Sequence, residues 1–224
     1  MRSLSFLEDQ TSIKGKYWKY LEVDKKIITY LEEIFNINKL TATLVAKRVN
    51  DKSEYINFVN PTLKKNLPDP YVLYGMEKGT ALFLENIKRG YNIGLLSDYD
   101  VDGATSAALI FKYCKQININ LEVYIPDRLQ EGYGISKKAI DFFSSKNIKL
   151  LVTLDCGTND KNEIRYAKEK DIKVIVIDHH EVKEKTDANI IINPKQPIDN
   201  SKLNYLSTVG VSFLFLVALN KTLK

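Results

Sequence analysis

The sequence predicts an α/β protein: a doubly wound, mainly parallel five-stranded sheet preceded by a small, mostly helical segment. Three observations carry this reading. From about residue 90 onward, apolar runs of strand length alternate with stretches of helical periodicity. Runs such as IKLLVTLD and KVIVID are almost continuously apolar and rich in β-branched residues, as strands must be when helices cover both faces of their sheet. Before residue 90, apolar side chains recur mostly at helical spacing.

Within residues 1–90, Ile27, Ile28, Leu31, Ile34 and Phe35 mark a helix over 24–35. A second helix fits 41–49, with Leu44, Val45 and Arg48 among its members. A third, over 54–59, ends at Asn60-Pro61, because the residue before a proline avoids the helical region. LPDP at 67–70 interrupts the chain, and 76–89 reads as an amphipathic helix closed by Gly90. This segment holds no His or Cys. Lys64-Lys65, and Lys14, Lys16 and Lys19 around Tyr17, Trp18 and Tyr20, offer phosphate contacts and stacking rings. The simpler reading of both is a solvated face with a buried aromatic.

In the second half, strands are predicted at 92–97, 121–125, 149–154, 173–177 and 189–192, and helices at 104–116, 136–146, 159–170 and 207–222. Ligands of such sheets bind outside the carboxyl ends of the strands, and the chemically active residues gather there. Asp98, Asp100 and Asp102 follow the first strand, Asp127 and Arg128 the second, Asp155 the third, and Asp178, His179 and His180 the fourth. The two histidines are the only ones in the chain. One strand-end Asp is uninformative, since Asp commonly caps the next helix; acids or His at four successive strand ends exceed what capping explains. Alternate carboxylates in an extended segment point the same way, so Asp98, Asp100 and Asp102 are expected to converge, and three like charges that close repel unless a cation lies between them. Carboxylates with imidazole suit a hard divalent ion such as Mn²⁺ or Mg²⁺. The absence of usable Cys pairs argues against structural zinc.

Composition narrows the class. Apolar content of 44% and charged content of 27% exclude wholesale disorder. A net charge of +5 is compatible with a polyanionic ligand without demanding one. Two cysteines, Cys114 and Cys156, make no disulfide framework, which points to a reducing, cytoplasmic compartment. Cys156, a small residue beside an acid, reads as packing rather than catalysis. MRSLSFLEDQ has no secretory pattern, and the late apolar run 209–219 is too short to span a bilayer, so no membrane association is expected.

DYDVDG, LDCG and DHH, in that order and at strand ends, resemble the DHH phosphoesterase superfamily. IPDR followed by EGYGIS, then NPKQP and VGVSFLFLVAL, resembles the bacterial RecJ single-stranded-DNA exonucleases. So does the lead-in, with Trp18, FVNPTL, LPDP and a helix from Met76. The resemblance implies a 5′→3′ exonuclease that releases 5′ mononucleotides from single-stranded DNA in recombination and repair, with single-strand-binding protein and a helicase as partners. It implies two ions, Mn²⁺ or Mg²⁺. Asp100 and Asp102 would each hold one, Asp155 would bridge both, His179 would complete the ligands of the second ion, and His180 would face the scissile phosphate. Asp98 would ligate the first ion or orient its shell, and Leu96 stands where some relatives carry histidine. Asp178 would hold an imidazole tautomer, and Arg128 and Tyr133 would face the DNA.

The same resemblance divides the chain into a lead-in, 1–90, and a DHH catalytic domain, 91–224, with a further ligand Asp, a DHH-associated domain and an oligonucleotide-binding fold beyond. Residues 211–219 are apolar around most of a helix, and such a helix wants burial on all sides. A fragment, weakly active or inactive alone, is therefore expected. The metal motifs serve equally a rival reading, a phosphoesterase of short oligonucleotides or cyclic dinucleotides. Intact, they speak against a second, a non-catalytic scaffold binding DNA or replication proteins, which the further ligand Asp missing from this chain leaves open. No Gly-rich phosphate loop follows the first strand, which disfavours a generic nucleotide-binding sheet.

Overall fold

The five apolar runs pair into one all-parallel sheet in the computed structural model, which describes residues 11–17, 22–184 and 186–223. The strands are β1 (Ile93–Ser97), β2 (Leu121–Tyr124), β3 (Leu150–Leu154), β4 (Lys173–Ile177) and β5 (Ile190–Ile192), in the order β2-β1-β3-β4-β5. The register sets Ile93 opposite both Leu121 and Leu150, Leu150 opposite Lys173, and Ile175 opposite Ile190. Side chains alternate between the two faces of a strand. Leu150, Val152, Leu154, Ile175 and Ile177 accordingly join one core, whereas Leu151, Val174 and Val176 join another. Residues buried on both faces explain why β1 and β3 read as nearly continuous runs without a charged residue.

The first core is closed by α5 (Met76–Lys88), α6 (Val101–Gln116) and α9 (Thr208–Leu223), through Met76, Phe83, Ile110, Val211 and Phe215. The second is closed by α7 (Lys137–Ser145) and α8 (Lys161–Glu169), through Ile140, Phe143 and Ile164. Gly94 of β1 makes room for that layer: a Cβ there would lie 2.7 Å from the Phe143 ring.

The compact unit carrying the sheet is Pro68–Lys224 and takes in α5, whose apolar face packs into the first core. One sequence expectation changes here. The apolar helix over 211–219 finds its cover within this chain: every residue of that stretch is buried or half-buried, against α5, α6 and the sheet.

The other unit, Met1–Leu67, contains α1 (Lys25–Phe35), α2 (Lys39–Ala46), α3 (Tyr55–Val59) and α4 (Leu63–Asn66). Its own small core comprises Ile28, Leu31, Ala42, Val45, Val49 and Tyr55. Asp24 and Asn38 cap α1 and α2 by accepting from the Lys26 and Thr41 N–H groups. Lys64 and Lys65 lie on the short α4, which the sequence did not predict. Tyr17 is exposed rather than buried, and Trp18, Lys19 and Tyr20 lie outside the described residues. Both cysteines are free and buried, and no helix among the described residues is long and apolar enough to cross a membrane.

Candidate metal centre

Three acids extend the sheet by one rung each. The Asp98 N–H donates to the Leu154 carbonyl (3.1 Å), Asp155 to Ile177 (3.0 Å) and Asp178 to Ile192 (3.1 Å). Hydrogen-bonded backbone thus fixes the positions of these residues at the carboxyl end of the sheet, and all three are buried.

Asp100 and Asp102 arrive differently from the extended alternation read in the sequence. α6 begins at Val101, so Asp100 is its N-cap, accepting from the Gly103 N–H at 3.0 Å, and Asp102 lies in its first turn. The capping preference of Asp and the need for Gly103 explain the early start: a Cβ at 103 would collide with the Asp98 carbonyl. Asp127 does not join the cluster's hydrogen bonding; its Oδ1 accepts from Leu129 and Gln130 in a local turn.

The ligand atoms of Asp98, Asp100 and Asp155 lie within 4.8 Å of one another, as do those of Asp155, His179 and His180. Asp155 is common to both groups. His179 Nε2 is 3.5 Å from Asp155 Oδ1 and 3.6 Å from Asp102 Oδ2, which brings Asp102 to the second group. Both Asp102 oxygens also accept backbone N–H groups at the start of α9, Oδ2 from Thr208 and Oδ1 from Val209, each at 2.8 Å. The Thr208 hydroxyl donates to Asp155 Oδ1 at 2.8 Å. The positive end of a helix dipole thereby faces two carboxylates. Sequence reasoning missed Thr208, whose only signal was a hydroxyl residue at the start of a predicted helix.

Asp178 orients the histidine pair. Its Oδ1 accepts from His180 Nδ1 (2.7 Å) and from the His179 and His180 backbone N–H groups (2.7 and 3.2 Å), while Oδ2 accepts from the Thr158 N–H (3.2 Å). Tyr133 enters through its hydroxyl, which donates to the Asp155 carbonyl at 2.9 Å and lies 3.2 Å from His180 Nδ1. That carbonyl belongs to a residue with φ of 62°. A left-handed Asp costs about 1–3 kcal/mol and is held by its surroundings, here the Tyr133 hydroxyl on one side and the rung to Ile177 on the other. Arg128 lies exposed with its guanidinium 5.4 Å from the Tyr99 ring centre and forms no ion pair among the described residues.

Electrostatics mark the cluster as built for cations. Burial, aided by the Asp102 and Asp100 charges and opposed by the Thr208 hydroxyl, pushes the Asp155 carboxyl up to about 7. Burial, with Asp100 beside it, also raises Asp98. The Gly103 N–H lowers Asp100. Burial pushes Asp178 upward, but the His180 and Thr158 hydrogen bonds outweigh it and hold the group below the usual carboxylate range. His180 is raised, chiefly by Asp178. Burial lifts Cys156 well above an ordinary thiol, consistent with a packing role. Asp98 Oδ1 is buried with no hydrogen-bond partner, which leaves an oxygen donor unclaimed. Carboxylate oxygens with imidazole nitrogen fit Mn²⁺ or Mg²⁺.

A pH dependence follows. Asp155 keeps its proton in the folded protein up to about 7, whereas in the unfolded chain it ionises near the ordinary value of 3.8. Its contribution to metal-free stability is present below the lower value and lost as pH rises through the upper one. An ion requires the ionised form. The gain in melting temperature from Mn²⁺ should therefore be larger at about pH 8 than at about pH 6. Equal gains in thermal unfolding at the two pH values would exclude this linkage.

Residues 92–224 match the DHH family, N-terminal domain. The chain is 32% identical over 203 residues to the single-stranded-DNA-specific exonuclease RecJ of Bacillus subtilis (strain 168), covering 90% of this chain and 26% of that protein. Against the Escherichia coli (strain K12) RecJ the identity is 32% over 154 residues, 68% of this chain and 27% of that protein. A crystal structure of exonuclease RecJ bound to manganese superimposes with a TM-score of 0.62 at 30% identity, covering 67% of this chain and 38% of that one. RecJ from Thermus thermophilus in complex with Mn²⁺ shares the fold, with a TM-score of 0.62 at 23% identity over 92% of this chain and 29% of that one. The chain spans about a quarter of the length of these curated relatives.

Proposed function

Because this chain belongs to the DHH family, we propose that it supplies the metal-binding catalytic part of an exonuclease that hydrolyses single-stranded DNA from the 5′ end to 5′ mononucleotides. Recombination and repair, with single-strand-binding protein and a helicase as partners, are the setting that goes with this reading. The observation that carries it is the pair of donor groups sharing Asp155, built at the carboxyl ends of β1, β3 and β4. The RecJ relatives support single-stranded DNA as the substrate.

Asp98, Asp100 and Asp155 would hold one ion; Asp155 and His179, with Asp102 beside them, would hold the other. When bound, two such ions supply an activated water and offset the charge of the phosphodiester and of its leaving oxygen. The remaining work belongs to the chain. Asp178 keeps a proton on His180 Nδ1, so the imidazole presents Nε2 toward the scissile phosphate. The first turn of α9 restrains Asp102 through two N–H groups. The Tyr133 hydroxyl holds the Asp155 backbone, and the exposed Arg128, over the Tyr99 ring, offers its guanidinium to a DNA phosphate.

The test follows a 5′-labelled single strand with Mn²⁺, comparing this chain with Asp155→Ala. Slow release of mononucleotides, lost in the variant, is expected. Preference for a dinucleotide over the long strand would replace the reading with that of a small-substrate phosphoesterase. Strand binding without cleavage would replace it with a non-catalytic scaffold.

A further inference from the structure

The segment NPKQP follows the edge strand β5 and lies behind the histidine pair. Its first residue, Asn193, is fully buried at 0% exposure. One amide nitrogen, Nδ2, donates to the His180 carbonyl at 2.9 Å and to the Thr158 hydroxyl at 3.0 Å. Its Oδ1 accepts from the Lys195 N–H at 2.8 Å. The side chain thus satisfies both donors and its acceptor without water. Thr158, also buried, donates its own N–H to Asp178 Oδ2, and Asp178 Oδ1 accepts from His180 Nδ1. These contacts close a ring: Asn193 to Thr158, Thr158 to Asp178, Asp178 to His180, and His180 back to Asn193.

The ring is placed where a free side chain most needs restraint. The His180 side chain is 43% exposed, and its ring meets those of Tyr133 and His179 edge to face. Asp178 Oδ1 holds the imidazole through Nδ1 and the backbone through the His179 and His180 N–H groups, which leaves the His180 carbonyl still to be held. Asn193 holds the carbonyl of that same residue. An amide is the side chain that can do this, since it gives two hydrogens to two oxygens and takes one from a backbone N–H. Aspartate would set a carboxylate against the His180 carbonyl, and leucine would leave buried polar groups unpaired.

We infer that Asn193 is a positioning residue which, through Thr158 and Asp178, locks His180 with Nδ1 protonated and Nε2 presented to the reacting phosphate. The role of Nε2 in hydrolysis rests on the exonuclease reading above; the lock itself does not.

The experiment records the ring nitrogens of metal-free chain labelled with ¹⁵N-histidine, in which His179 and His180 are the only histidines. His180 of the unaltered chain should show a single Nδ1–H tautomer. Asn193→Ala should turn it into a tautomer mixture, while the neighbouring apolar control Ile192→Val should leave it unchanged. In hydrolysis of a single strand with Mn²⁺, Asn193→Ala should lower kcat by about 10–100-fold with KM unchanged, the range for residues that orient groups at a metal centre. Ile192→Val should move neither. If Asn193→Ala does not fold, Thr158→Val, which removes the ring's hydroxyl and keeps its backbone N–H, should give the same mixture. Identical His180 signals in the unaltered chain and the variant overturn the lock. A tautomer shift in a chain that never cleaves DNA overturns the exonuclease reading and leaves the lock standing.

Discussion

Asp155→Ala should lower the affinity of the chain for Mn²⁺ by more than about 100-fold. Residues that merely orient a ligand are worth about 10–100-fold, and Asp155 belongs to both donor groups. The loss should not come from unfolding. The rung to Ile177 is made by backbone and survives the change, and removing a buried carboxylate also removes its repulsion with Asp100 and Asp102. Alanine is less tolerant than aspartate of the left-handed conformation at 155, at a cost of about 1 kcal/mol. Asp155→Asn separates charge from shape, because it keeps an oxygen for the Thr208 hydroxyl. Calorimetric titration with Mn²⁺, paired with thermal unfolding of the metal-free proteins, gives both quantities. Affinity unchanged in either variant would remove Asp155 from the centre.

Phe215→Ala should destabilise the sheet-bearing unit by about 3–5 kcal/mol. The ring is fully buried in the first core and meets Phe83 edge to face, with centroids 5.6 Å apart. Truncation would leave a cavity bordered by α5 and α9, whose packing partners are fixed on the sheet and cannot collapse into it. Urea unfolding of the two proteins gives the difference directly. A loss below about 1 kcal/mol, the range of a volume-conserving core change, would mean that α9 is not packed as described.

The strands most readily read from the sequence are those buried on both faces, β1, β3 and β4, where the environment demands apolar residues at nearly every position. The acids and histidines past their ends were legible for the same reason, since polar residues stand out against such runs. Errors arose where local pattern and tertiary partner are independent. The motif DYDVDG reads equally well as an extended arm or as a cap and first turn, and the close approach of Gly103 to Asp98 decides for the second. An all-round apolar α9 looked short of cover because periodicity cannot count the helices that surround it. Thr208 and Asn193 reach the site through hydrogen bonds to residues distant in sequence, and no spacing rule announces such pairs.

The all-parallel connectivity also fixes when the centre comes into being. Parallel neighbours are joined by long crossovers, so Asp98, Asp155 and the histidines come from separate βα units that approach only after several loop closures. Each closure is an entropic cost met before the contact that rewards it. No early hairpin or single helix contains even one complete donor group, and a dissolved cation therefore has nothing in the nascent chain to organise. The connectivity thus predicts collapse of the apolar layers first, convergence of the acids afterwards, and metal capture last. Stopped-flow refolding with and without Mn²⁺ checks this order: an ion that speeds the first phase would overturn it.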